Sequence, residues 1–84
     1  MYVMAVSTVT ENEDFWSSIK LAHAQLPANA RWVFALSSAD GTRAVNVLVH
    51  DSVQRVRELF AIADAYGTTE CFEADAANAV GLST

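Results

Sequence analysis

The chain is poor in everything that staples or breaks a fold: of 84 residues one is cysteine, one is proline and three are glycine. A single thiol, Cys71, allows no disulfide and no CxxC pair, so the fold must hold by packing alone. Positive charge is scarce as well, with five Lys and Arg against ten Asp and Glu and a net charge of −5. Phosphate backbones and anionic lipid surfaces reward basic stripes, so neither nucleic acid nor membrane is expected as a partner. No apolar run approaches the ~20 residues of a membrane-spanning helix. The apolar start, Met1 to Val9, lacks the positive flank and small-residue cleavage site of a signal peptide, and with the unpaired cysteine this makes the cytoplasm the expected compartment. Phosphate-binding glycine loops, zinc-hydrolase and calcium motifs and the nucleophile elbow are also missing, and no cofactor is expected.

What is present is apolar surface. Residues of the hydrophobic type make up 52% of the chain, above the ordinary share of about 45–50%. A domain of this size buries only about 60% of its unfolded surface. Hydrophobic side chains in excess of one small core then need a second surface, and a partner is the simplest supplier.

The order of elements can be read from periodicity and punctuation. Tyr2 to Val9 is rich in β-branched residues and reads as a strand. Thr10 and Glu13 have capping-box spacing, with Asn12 as a rival cap. Phe15, Ile19, Ala22 and Leu26 then form one helical stripe that Pro27 stops. Arg31 to Ser37 and Arg43 to His50 flank Asp40-Gly41, the dipeptide of a tight hairpin turn. Asp51 and Ser52 offer an N-cap to a second helix, whose apolar arc holds Val53, Val56, Leu59, Phe60, Ala63 and Tyr66, with Gly67 as its C-terminal stop. Thr68 to Ala74 is a last strand, and Asp75 to Gly81 is a helical turn capped at both ends, before a three-residue tail. The order β-α-β-β-α-β with short connections predicts a single α+β domain over residues 1–84, ferredoxin-like, with a four-stranded antiparallel sheet and two helices on one face.

One sheet face is then uncovered. A two-residue turn at Asp40-Gly41 would set Trp32, Phe34 and Leu36 beside Val49, Val47 and Val45, and that bulky side is expected under the helices. Arg31, Val33, Ala35, Asn46, Leu48 and His50 would occupy the open side, although one residue of slip exchanges the two sets. Either side is too apolar to be left wet, so a homodimer joined through the open sheet face is expected, enclosing a cavity.

The element order, with Phe15-Trp16 early in the first helix, resembles the dimeric α+β barrel superfamily. The run Trp32-Val33-Phe34-Ala35-Leu36-Ser37-Ser38-Ala39-Asp40-Gly41-Thr42, followed by Asp51-Ser52-Val53 through Arg57-Glu58, is similar to one branch of small ferredoxin-like proteins that includes a nickel-binding member. That branch carries a histidine where this chain has Phe34 and a cysteine where it has Asn46, so no metal ligand carries over at those positions. The superfamily's monooxygenases, isomerases, cyclases and haem-handling proteins use the space between sheet and helices, and the resemblance implies a pocket rather than a reaction.

The residues that could serve such a pocket are few. His50 ends the third strand four positions after Asn46, so the two share a face and could act as acid/base and hydrogen-bond donor. Trp16 and His23 lie seven apart on one flank of the first helix, where they could line a pocket wall or simply seal the edge of the core. Arg31 could hold a carboxylate. Glu70 and Glu73 flank Cys71 and disfavour its thiolate, which makes it a packing residue. The expected function is a homodimeric binding protein for a small apolar or aromatic molecule, or a cofactor-independent enzyme with His50 as acid/base and Asn46, Arg31, Trp16 and His23 as ligand-binding residues. A non-catalytic interaction module and a metal-binding protein using His23, His50, Cys71 or a carboxylate remain open beside it.

Overall fold

The computed structural model describes residues 1–82, and positions 83 and 84 of the expected tail lie outside the described residues. Strands β1 (Tyr2–Val9), β2 (Arg31–Ser37), β3 (Arg43–Val49) and β4 (Gly67–Ala74) alternate with helices α1 (Asn12–Ala24) and α2 (Val53–Phe60). A 3-10 turn at Ala61–Ala63 continues α2, and another at Ala76–Asn78 follows β4. The sheet runs β2-β3-β1-β4 with every neighbour antiparallel. This is the ferredoxin-like α+β arrangement, with β1 and β3 central.

Both helices rest on the face formed by Val3, Ala5, Ser7 and Val9 of β1, and the register adds Ala44, Asn46 and Leu48 of β3 and Thr69 and Cys71 of β4. Most of these are small. The bulk comes from above, where Phe15 and Ile19 of α1 and Val56 and Phe60 of α2 complete the buried core. Large helix side chains over a floor of small ones fill the layer at crystal-like density.

The face assignment differs from the sequence expectation. Phe34 and Leu36 do pair with Val47 and Val45, in the register of a two-residue turn, but this bulky side is the open face. A bulge at Val33 shifts the register, so that Trp32 pairs with Leu48 and turns to the helix side. Asn46 and Leu48, expected outside, are fully buried beneath the helices. The reason is volume: Phe15 and Phe60 already fill the layer above Ala5, Ser7 and Ala44, which leaves no room there for three valines, Phe34 and Leu36.

Two local expectations also change. The Thr10–Glu13 capping box does not form; Glu11 precedes α1 without a side-chain cap, and the N–H groups of Thr10 and Glu11 donate instead to the Tyr66 carbonyl at 2.9 and 3.2 Å. Gly67 does not stop α2, which already ends at Phe60, but opens β4 opposite Val9. A Cβ there would fall on the Thr8 carbonyl oxygen, so glycine is required by the close approach of the two strands. Ser52 does cap α2, accepting from the Arg55 N–H at 3.2 Å.

The β2–β3 loop is organised by one carboxylate. Asp40 Oδ1 accepts from Ser38 Oγ (2.8 Å), Thr42 N (3.0 Å) and Thr42 Oγ1 (2.7 Å), and Gly41 takes the positive φ of 75°. The hydrogen bonds from Thr42 and Ser38 hold the Asp40 carboxyl at a pKa of about 2. Among the described residues no helix is long and apolar enough to cross a membrane.

Gly67→Ala is expected to lower stability by about 1–3 kcal/mol in urea denaturation, because backbone rather than a flexible side chain must yield. For Asp40 the sign follows from a native pKa below the unfolded value near 3.8: its contribution is complete above that pH and disappears as pH falls towards 2. Asp40→Asn is therefore expected to melt below the wild type at pH 7, with the gap closing between pH 4 and 2.

Candidate functional site

Trp16, Ile19, Lys20 and His23 recur at helical spacing along one flank of α1 and face Trp32 and Ala35 of the edge strand β2 across a cleft of about 390 Å³. The cleft exists because α1 leans on α2 and the 3-10 turn and has little backbone contact with β2. A larger, shallow depression of about 550 Å³ lies near Tyr2 and Asp75, lined mainly by alanines and acids. Tyr2 is its single aromatic residue and, among the described residues, no buried polar group without a partner lines it, so the smaller cleft, walled by two indoles, is the better site.

Aromatic contacts fix the cleft walls. The Trp32 ring meets Phe60 at 5.6 Å between centroids and His23 edge-on at 5.7 Å. Trp16 packs edge-on against the core ring Phe15 at 5.5 Å. Behind Trp32 its Nε1–H donates to Asn46 Oδ1 at 3.1 Å, and Asn46 is register partner of the cleft residue Ala35. The bulge at Val33 is what points this indole inward; without it Trp32 would stand on the open face.

Two polar atoms of this constellation are left over. Trp16 Nε1 and Asn46 Nδ2 are buried and have no hydrogen-bond partner. A buried donor without an acceptor costs about 1–3 kcal/mol, a sizeable part of the stability of so small a domain. Arg57 Nη1 is the third such atom among the described residues, but its guanidinium is already held by Asp64 at 3.2 Å on the far side of the fold.

The residues singled out in the sequence divide into two groups. Trp16 and His23 line the cleft, and Asn46 lies behind its Trp32 wall. His50 and Arg31 are not among the lining residues. His50, 9% exposed just beyond β3, has Nδ1 at 2.8 Å from Asp51 Oδ1 and 2.9 Å from Asp51 N. These are alternative bonds: the ring donates to the carboxylate when Nδ1 is protonated and accepts from the amide when it is not. Arg31 is exposed, paired with Val49 on the open face. Burial pushes the Cys71 thiol up, against the opposing pull of Arg57, and Cys71 packs on the core. Among the described residues no three His, Cys, Asp or Glu side chains come close enough to hold a metal ion.

Trp32 and Lys20 were missed. Lys20 had a signal, four residues from Trp16 and three from His23 on one helical face. Trp32 was expected under the helices, but in company with Phe34 and Leu36, and periodicity does not reveal the bulge that leaves it there without them. Compared with family models, curated proteins and solved structures, the chain matches none of them.

Asn46→Ala is expected to cost about 1–3 kcal/mol, since it strips Trp32 Nε1 of its acceptor while freeing the structure of one orphan donor. Urea denaturation measures the loss, and an upfield move of the Trp32 indole N–H resonance identifies its cause.

Proposed function

We propose that this chain binds a small, largely apolar or aromatic molecule in the α1–β2 cleft and works as a homodimer joined through its open sheet face. The observation that carries the binding reading is the pair of indoles walling a cleft, one of them with its buried Nε1 left unpartnered. Pockets for small molecules are mostly apolar with a few convergent polar groups, and this one has that character. If chemistry follows binding, His23 is the acid/base placed at the cleft, and His50 would have to act from outside its lining.

The dimer reading is supported by the open face. Phe34, Leu36 and Phe72 stand 44%, 65% and 47% exposed, and the register sets them on the same side as Met4, Val6 and Val45. A patch of this kind marks an interface. Its charges favour a second copy: Arg31 and Arg43 lie towards the β2 half and Glu70 on β4. A two-fold axis parallel to the strands lays the β2 half of one sheet over the β4 half of the other and opposes these charges. The resemblance of the element order, with Phe15-Trp16 early in α1, to the dimeric α+β barrel superfamily agrees with this pairing. A flat interaction module without a ligand is the competing reading, and the cleft argues against it.

Native mass spectrometry is expected to show a dimer at micromolar concentration, and Leu36→Glu to yield a folded monomer. Both tryptophans of the chain line the cleft, so energy transfer to 1-anilinonaphthalene-8-sulfonate reports its occupancy. Ala35→Phe, which fills the cleft from an exposed strand position, is expected to weaken that probe by about tenfold. Equal binding by both chains would remove the cleft as the site.

A further inference from the structure

The buried, unpartnered polar atoms at the cleft and behind its wall are both donors. An indole N–H only donates, so Trp16 Nε1 requires an acceptor. The Asn46 amide is oriented by its neighbour: Trp32 Nε1 donates to Oδ1 at 3.1 Å, which leaves Nδ2, again a donor, without a partner. At the rim stands Lys20, the single lysine of the chain, which forms no ion pair among the described residues. No Asp or Glu lines the cleft, although acids outnumber bases two to one in the whole chain. His23 beside Lys20 can present a further ring N–H. Apolar walls, donors at depth and a cation at the mouth have one complement.

We infer that the ligand is a planar aromatic anion, a carboxylate or phenolate, whose ring lies between Trp16 and Trp32 and whose acceptor oxygens meet Lys20 and the unpartnered Trp16 Nε1. The inference rests on the binding role proposed above and adds the charge and polarity of the ligand. Charge-assisted hydrogen bonds are the strong ones, and they gain strength where water is excluded. A purely apolar occupant would leave Trp16 Nε1 unpaired. A cationic aromatic would meet Lys20 with like charge.

Three probes of nearly equal shape separate the contributions: 2-naphthoate carries charge and acceptors, 2-acetonaphthone an acceptor alone, and 2-isopropylnaphthalene neither. Binding is followed by ¹⁵N correlation spectra, where the chain's two tryptophans give two indole signals. The expected order is 2-naphthoate tightest, about fivefold over 2-acetonaphthone and tenfold or more over 2-isopropylnaphthalene. The Trp16 indole N–H should move downfield with the two acceptor-bearing probes only. Lys20→Gln, at an exposed position, should abolish the gap between 2-naphthoate and 2-acetonaphthone and keep the remaining gap, about twofold, between 2-acetonaphthone and 2-isopropylnaphthalene. If 2-isopropylnaphthalene binds as tightly as 2-naphthoate, the anionic ligand is overturned and an apolar cleft survives. If no probe moves either indole signal at millimolar concentration, both the ligand class and the binding role fall.

Discussion

A strand presents its side chains to alternate faces, so one extra residue reverses everything beyond it. In β2 that residue is Val33. On the turn side of the bulge, Phe34 and Leu36 follow the hairpin register onto the open face. On the other side, Trp32 is carried under the helices, against Phe60, His23 and the Asn46 amide. The end of the core, the wall of the cleft and the edge of the open face are all consequences of this single break in period. Without it, Trp32 would join an already apolar outer face and Asn46 would be buried with neither of its amide atoms paired.

The two sheet faces are organised by volume rather than by polarity. Alanines, serine, threonine and asparagine make up much of the floor beneath the helices, and the helices bring the large rings. The bulky β-branched and aromatic residues of the strands are thereby displaced to the open side, where, among the described residues, no element covers most of them. Part of one end is met by the segment after β4, where Asn78, Ala79 and Leu82 close a hollow of about 270 Å³ with Tyr2, Met4 and Val47. The rest is apolar surface of the kind that one small core cannot absorb.

The cleft shows a different economy. Its polar atoms are few, and the donors exceed the acceptors. A marginally stable domain that leaves the Trp16 indole N–H unpaired at an apolar opening has more to gain from an occupant than one whose interior is complete. The same geometry separates the two histidines. His23 shares the cleft with both indoles, while His50 is occupied by its sequence neighbour Asp51.

The element order, the exact span of β1 and β2, the hairpin register as far as Phe34 and the Ser52 cap were all legible in the chain, because each depends on neighbours in sequence: alternation, helical stripes and turn chemistry. So was the flank of α1 that carries Trp16 and His23, since helical spacing alone puts them together. The tertiary structure decided which sheet face lies under the helices, because that choice is a competition for volume between residues distant in sequence. It also decided that the bulge at Val33 separates Trp32 from Phe34 and Leu36, that Gly67 serves a strand contact rather than a helix end, and that Asn46 stands behind the cleft wall while His50 lies away from it. Local pattern sets which side chains share a face; only packing against the rest of the chain sets what that face meets.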